Sequence, residues 1–203
     1  MSSTEQQTHP LIEQAFSDGI ELRRQCMASL SAPLQNAASA IVNCLKNGGK
    51  VLACGNGGSA ADAQHFAAEL VNRFEINRPG MAAVALTHDA SVITSIANDF
   101  SFAQVFSRQV EALGRPGDLL LLISTSGNSD NIVAAAEAAA VVGMQSIALT
   151  GKDGGKLGRN AHVTMHINIP NPSTPRIQEM HITCLHILCA LVDESMFGGH
   201  HDN

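Results

Sequence analysis

The chain has 203 residues, 45% hydrophobic and 15% charged, enough apolar material for one domain with a buried core and too much for intrinsic disorder. Lys and Arg number 12 against 18 Asp and Glu, a net charge of −6 that disfavours broad nucleic-acid binding, and Trp and Tyr, which would stack on single strands, are absent. No stretch reaches the roughly 18 consecutive apolar residues of a membrane span, and the polar start MSSTEQQTHP has no basic flank or apolar run, so no signal peptide is expected.

In chain order, Leu11, Ile12, Ala15, Phe16, Ile20 and Leu22 recur near helical spacing, as do Leu34, Ala37, Ala38, Ile41, Val42 and Leu45. Pro33 after Ser31 reads as a helix start and Asn47-Gly48-Gly49 as a stop, so residues 1–48 are expected to form a helical hairpin. From Lys50 the texture changes to short apolar runs, at 51–54, 82–86, 119–123, 146–149 and 163–169, separated by helical patterns at 59–74, 90–98, 102–113 and 129–142. Most of these runs lack polar alternation, as parallel strands covered on both faces do. The expected fold is therefore α/β, a doubly wound, flavodoxin-like parallel sheet of about five strands. The run at 163–169 alternates and holds His166, which suits an edge strand. A final helix is expected at about 175–196, followed by a frayed GGHHDN tail. With no repeat and no linker, residues 1–203 read as one domain, with the α/β core at 50–197. The five cysteines (Cys26, Cys44, Cys54, Cys184, Cys189) form no CxxC pair and read as apolar fillers in a reducing compartment, the cytoplasm.

Ligands of open parallel sheets bind where loops leave the carboxyl ends of the strands. After the first strand comes Gly55-Asn56-Gly57-Gly58-Ser59 and then a helix; after the third comes Ser124-Thr125-Ser126-Gly127-Asn128-Ser129 and again a helix. Glycines let backbone approach an anion, and a helix N-terminus offers free N–H groups with a positive dipole end. Either loop alone is an ordinary capped turn; two of them in one sheet point to a phosphate. Gly55-x-Gly57-x-x-Ala60 also meets the loose dinucleotide fingerprint, which wants an acid about 20 positions on at the end of the second strand. Glu75 precedes that strand and Asp89 lies too far along, and no GK[ST] follows the glycines. A phosphate monoester held by hydroxyls fits better than a pyrophosphate.

The helix opened by the first loop carries His65 and Glu69, one turn apart on one face. Such a pair can ligate a divalent metal, move protons, or simply form a surface contact. Arg73, a turn further, can neutralise an anion or pair with Glu69. On the last helix stand Gln178, His181 and His186, the last inside an apolar run where an imidazole is costly unless paired. Gln178 and His186 are separated by roughly 12 Å of helical rise, so a metal reaching both needs either an irregular helix start or a neighbouring subunit.

CGNGGSAADAQHFAAEL, IANDFSF, ISTSGNS, ALTGKDGG and RIQEMHITCLHIL together resemble the bacterial phosphoheptose isomerases of the sugar-isomerase (SIS) domain superfamily, over nearly all of the chain from Lys50. The resemblance implies a homotetramer with active sites at subunit interfaces. It implies a zinc ion at the positions matching His65, Glu69, Gln178 and His186. It implies substrate contacts at Asn56, Gly57, Gly58, Ser59, Glu69, Arg73, Asn98, Asp99, Ser124, Thr125, Ser126, Ser129 and Gln178. The implied activity converts sedoheptulose 7-phosphate to D-glycero-D-manno-heptose 7-phosphate, a precursor of lipopolysaccharide core heptose, with Glu69 as base on carbon and His186 as acid/base on oxygen. Some members carry an acid before the Arg of RIQE where this chain has Pro175, which puts one sugar-hydroxyl contact in doubt. A related branch binds a replication initiator and lacks the Glu and second His; this chain keeps Glu69 and His186, so the non-catalytic alternative ranks second.

Overall fold

A computed structural model describes residues 9–198; the first eight residues of the polar start and the tail beyond Gly198 lie outside the described residues. The expected hairpin is instead one continuous helix, α1 (Pro10–Lys46), 37 residues long with Pro33 inside it. An internal proline removes one helical hydrogen bond and costs about 3 kcal/mol. Long-range burial offsets it: Leu22, Cys26, Leu30, Leu34, Ala37 and Ile41 run along one face of α1 and are buried.

Five parallel strands follow: β1 (Val51–Gly55), β2 (Ala83–Ala85), β3 (Leu119–Ser124), β4 (Gln145–Gly151) and β5 (Met165–Ile169). Their order is β2-β1-β3-β4-β5, so β5 is an edge, as its alternating pattern predicts, and β2 is the other. The direction of winding reverses between β1 and β3, which pair from Val51↔Leu119 to Gly55↔Ile123. The helices between strands are α2 (Gly58–Val71), α3 (Ala90–Asp99), α4 (Ser107–Leu113) and α5 (Asp130–Val142). A short α6 (Gly155–Gly158), unforeseen in the sequence, follows β4, and α7 (Thr174–Phe197) closes the chain.

Alternate strand residues supply two cores, as strand geometry requires. Val51, Ala53, Leu119, Leu121, Ile123, Ile147 and Leu149 face α1, α2 and α7. Leu52, Cys54, Leu120, Leu122 and Ala148 face α4 and α5. With a mean hydropathy of 1.3 over 18 residues, α7 has the length and composition of a membrane span. Its apolar side is nevertheless taken up by packing, with Ile177, Met180, Cys184, Leu185, Leu188 and Val192 buried in the first core. All five cysteines are free and buried, and burial pushes the thiols of Cys184 and Cys189 up to about 12. In that environment they are inert fillers.

Candidate active site

Both glycine- and serine-rich loops leave the carboxyl ends of β1 and β3, the adjacent strands at the switch point. The first turns on Gly57, whose φ of 57° an L side chain adopts only with strain, and no side chain caps α2. In its place the amides of Ser59, Ala60 and Ala61 bond back to the carbonyls of Asn56 and Gly57 at 3.0 to 3.3 Å, which closes the first turn on the loop itself. Ser59 is buried in that first turn. Asn56 and Asn131 exchange two 2.9 Å hydrogen bonds, which fasten the glycine loop to α5.

The second loop begins at Ser124, buried at the end of β3, whose Oγ lies 3.2 Å from Oγ of Ser129 at the start of α5. The Ser129 hydroxyl caps no amide of its own helix; it is the Ser129 carbonyl that accepts from the Ile132 and Val133 amides, both at 3.0 Å. Ser126 Oγ accepts from the Asn128 amide at 3.1 Å, while Thr125 and Ser126 are half-exposed. Gly127, at φ 63°, lies so close to the Gly154 carbonyl that any Cβ there would collide with it. Leu157 N donates to the Gly127 carbonyl and Lys156 N to Asn128 Oδ1, both at 2.9 Å. The GKDGG segment is therefore the wall that shapes the serine loop, a role its sequence did not disclose.

Two turns down α2, His65 and Glu69 face α7. Nε2 of His65 lies 3.2 Å from Glu69 Oε1 and 3.1 Å from Nε2 of His186. The imidazoles of His65 and His186 are tilted at 5.1 Å between centroids, and Phe74 flanks His186 at 5.6 Å. One nitrogen of His65 is thus within hydrogen-bond reach of both a carboxylate oxygen and a second imidazole. His65 is 45% exposed and Glu69 24%, so a small molecule can reach the cluster. Asp62, a turn before His65, was missed in the sequence. Burial pushes its carboxyl up to about 6, against the opposing pull of His65, and its Oδ2 has no partner among the described residues.

Other candidates lie apart. The amide of Gln178 packs against Gly58 at the start of α2, two turns from His65, so α2 and α7 run in parallel with the pairs 58/178 and 65/186 at successive levels. Since α7 is regular from Thr174, no irregular start shortens the span between Gln178 and His186. Arg73 lies beyond the end of α2 and donates to the Glu75 carbonyl at 3.3 Å rather than to Glu69. Asn98 and Asp99 end α3, exposed and bonded to each other at 2.9 Å. Buried His181 donates from Nε2 to the Thr150 carbonyl at 3.0 Å, and burial pushes it down to about 4, so it is a structural group. Asp89, an acid weighed for dinucleotide binding, is the N-cap of α3 and accepts from Val92 N at 3.0 Å.

Two imidazoles and a carboxylate are ligand types that zinc takes. Among the described residues, however, no three or more His, Cys, Asp and Glu groups form a closed metal-binding set. The donor chemistry fits, with His65 as the member touching both others, while enclosure of an ion needs further ligands.

A family model for the SIS domain matches residues 16–151. The chain is 53% identical over 188 residues to a phosphoheptose isomerase of Methylibium petroleiphilum, covering 92% of this chain and 94% of that one. Among solved structures it resembles a phosphoheptose isomerase of Francisella tularensis, with TM-score 0.87 and 41% identity, covering 96% of this chain and 100% of that one. It also resembles the phosphoheptose isomerase of Neisseria gonorrhoeae, with TM-score 0.85 and 48% identity over 90% of this chain and 97% of that one.

Proposed function

The chain belongs to the SIS-domain family, alongside its phosphoheptose isomerases, and from that premise we propose that it isomerises sedoheptulose 7-phosphate to D-glycero-D-manno-heptose 7-phosphate. The observation that carries the reading is the meeting of Glu69 and His65 on α2, which leads away from the first glycine loop, with His186 on the neighbouring α7. The phosphate sits between the positive dipole ends of α2 and α5, against the hydroxyls of Ser59, Ser124 and Ser129, the far tip of the sugar being the anchor. Its open-chain end extends along α2 toward the cluster.

Ketose-to-aldose conversion moves a proton from C1 to C2 through an enediol while a second proton passes between O1 and O2. Glu69 takes the carbon proton and returns it to the neighbouring carbon. His186 serves the oxygens, and His65 couples the two by holding a proton that either partner can draw on. Asp62, half-buried beside His65, adds a carboxyl that changes charge near neutrality. A zinc ion held by His65, Glu69 and His186, with Gln178 supplied across a subunit boundary, is part of the proposal; when bound it would stabilise negative charge on the substrate oxygens. Asn98, Asp99 and Arg73 belong to the proposed substrate contacts through such an assembly.

The assembly proposed is a homotetramer in the cytoplasm, serving lipopolysaccharide heptose synthesis. What supports self-association is the outer face of α1, where Leu11, Phe16 and Met27 are 74%, 71% and 77% exposed. An apolar groove of about 420 Å³ between α1 and α7, lined by Leu30, Met180, Ile187 and Leu191, continues it. The initiator-binding alternative draws no support from the relatives.

Product analysis with sedoheptulose 7-phosphate, with and without a chelator, tests the reading. Aldose heptose 7-phosphate is expected from the untreated protein, and its absence rejects the function. Loss of turnover on chelation with recovery on added zinc supports the metal; full activity after chelation removes it. Light scattering should give four times the 21.3 kDa chain mass.

A further inference from the structure

Between α2 and β2 the chain folds back on the end of α2. There Arg78, whose side chain is 1% exposed, sends Nη2 to the Glu69 carbonyl at 2.8 Å and Nη1 to the carbonyls of Leu70 at 2.9 Å and Pro79 at 3.1 Å. Its Nε donates to Asp193 Oδ1 at 2.7 Å, and Asp193 is likewise buried, at 7%. Met81 N adds a 2.9 Å bond to the Leu70 carbonyl. Carbonyls in the last turn of a helix have no partner within it, so a guanidinium there satisfies them and meets the negative end of the dipole. The planar fork can do this while binding a carboxylate through a third nitrogen; an ammonium cannot.

The position of the two partners matters more than the bonds themselves. Glu69 is the residue whose own carbonyl is held. Asp193 lies seven residues after His186, two turns along the same face of α7. The ion pair thus ties the backbone under the carboxylate on α2 to the helix that carries the opposing imidazole. A buried pair is rarely the most stable filling for its site, since apolar residues of like volume often serve as well or better. What apolar residues would not supply is a directional tie fixing how α2 stands against α7.

We propose that Arg78 and Asp193 are positioning residues, holding Glu69 and His186 in register for proton transfer. The proposal rests on the isomerase reading above. The clamp stands apart from the two anion loops, so its loss lowers kcat and leaves KM nearly unchanged.

The experiment compares wild type, Arg78→Lys, Asp193→Asn and the double variant Arg78→Met/Asp193→Leu in the sedoheptulose 7-phosphate assay, well below each melting temperature. The imidazole NMR signals of His65 and His186 are recorded in parallel. Expected are a loss in kcat of tenfold or more with KM within about twofold, and moved imidazole signals. In the double variant the melting temperature recovers while kcat stays low. A folded single variant with wild-type kcat overturns the proposal, as does recovery of kcat together with stability in the double variant. If a single variant does not fold, the double variant decides. If wild type makes no aldose, the isomerase reading falls, and the clamp is judged on the imidazole signals alone: unmoved signals reject it.

Discussion

The anion loops and the α2/α7 cluster are built in opposite ways. Each loop is a contiguous run of residues, shaped by glycine backbone and by short bonds such as that between Ser124 and Ser129. The cluster instead unites residues from distant parts of the chain, His65 and His186 being 121 positions apart. Its geometry depends on how one helix packs against another. On the proposed reading several donors share the anion, so the loss of a single hydroxyl weakens binding without abolishing turnover. A proton-transfer cluster has no such reserve, since each member is used once and must stand within hydrogen-bond reach.

The most direct attempt to break this contrast is Glu69→Gln and His186→Gln. Each should lower kcat by about 100- to 10,000-fold while sugar-phosphate binding, measured by calorimetry, survives. Comparable loss of binding would mean that the cluster, and not the loops, carries the anchor.

A second, smaller effect probes how α7 is held. His181 is neutral in the fold at a value of about 4, against 6.5 in an unfolded chain, because burial opposes its charge. A depressed histidine favours the folded state fully above about pH 6.5, and that contribution is lost as pH falls toward 4. The difference is roughly 3 kcal/mol. Urea midpoints between pH 7 and 4.5 should therefore fall less steeply in His181→Gln than in wild type. Parallel slopes would show that burial does not hold His181 neutral in the fold.

The smallest effect belongs to the loops. Ser124→Ala should raise KM by about tenfold, the loss of one hydrogen bond to a charged group, with kcat close to wild type. Steady-state kinetics separates the two, and an unchanged KM would remove Ser124 from the anchor.

These contrasts also mark what could be read early. Both loops were legible because each is written in consecutive residues, Gly55–Ser59 and Ser124–Ser129, between an apolar run and a helical pattern. The parallel sheet and its edge at β5 were legible from runs of apolar residues and one alternating stretch. Pro33 misled, because its local cost says nothing of the buried face it lies beside. Arg78 and Asp193 gave no signal, being 115 residues apart and each unremarkable in its own neighbourhood. The GKDGG wall behind the serine loop was invisible for the same reason, since only the fold brings Gly154 against Gly127.

By itself, then, the amino-acid sequence determined the α/β class, the two glycine- and serine-rich turns at strand ends and the helical face shared by His65 and Glu69, all of which arise from neighbours within a few residues. Tertiary structure alone decided that α1 is unbroken, that His186 rather than His181 meets His65, and that Gln178 stands two turns away. Periodicity states which side of a helix is apolar, but the level at which one helix lies against another is set by the packing of the whole core.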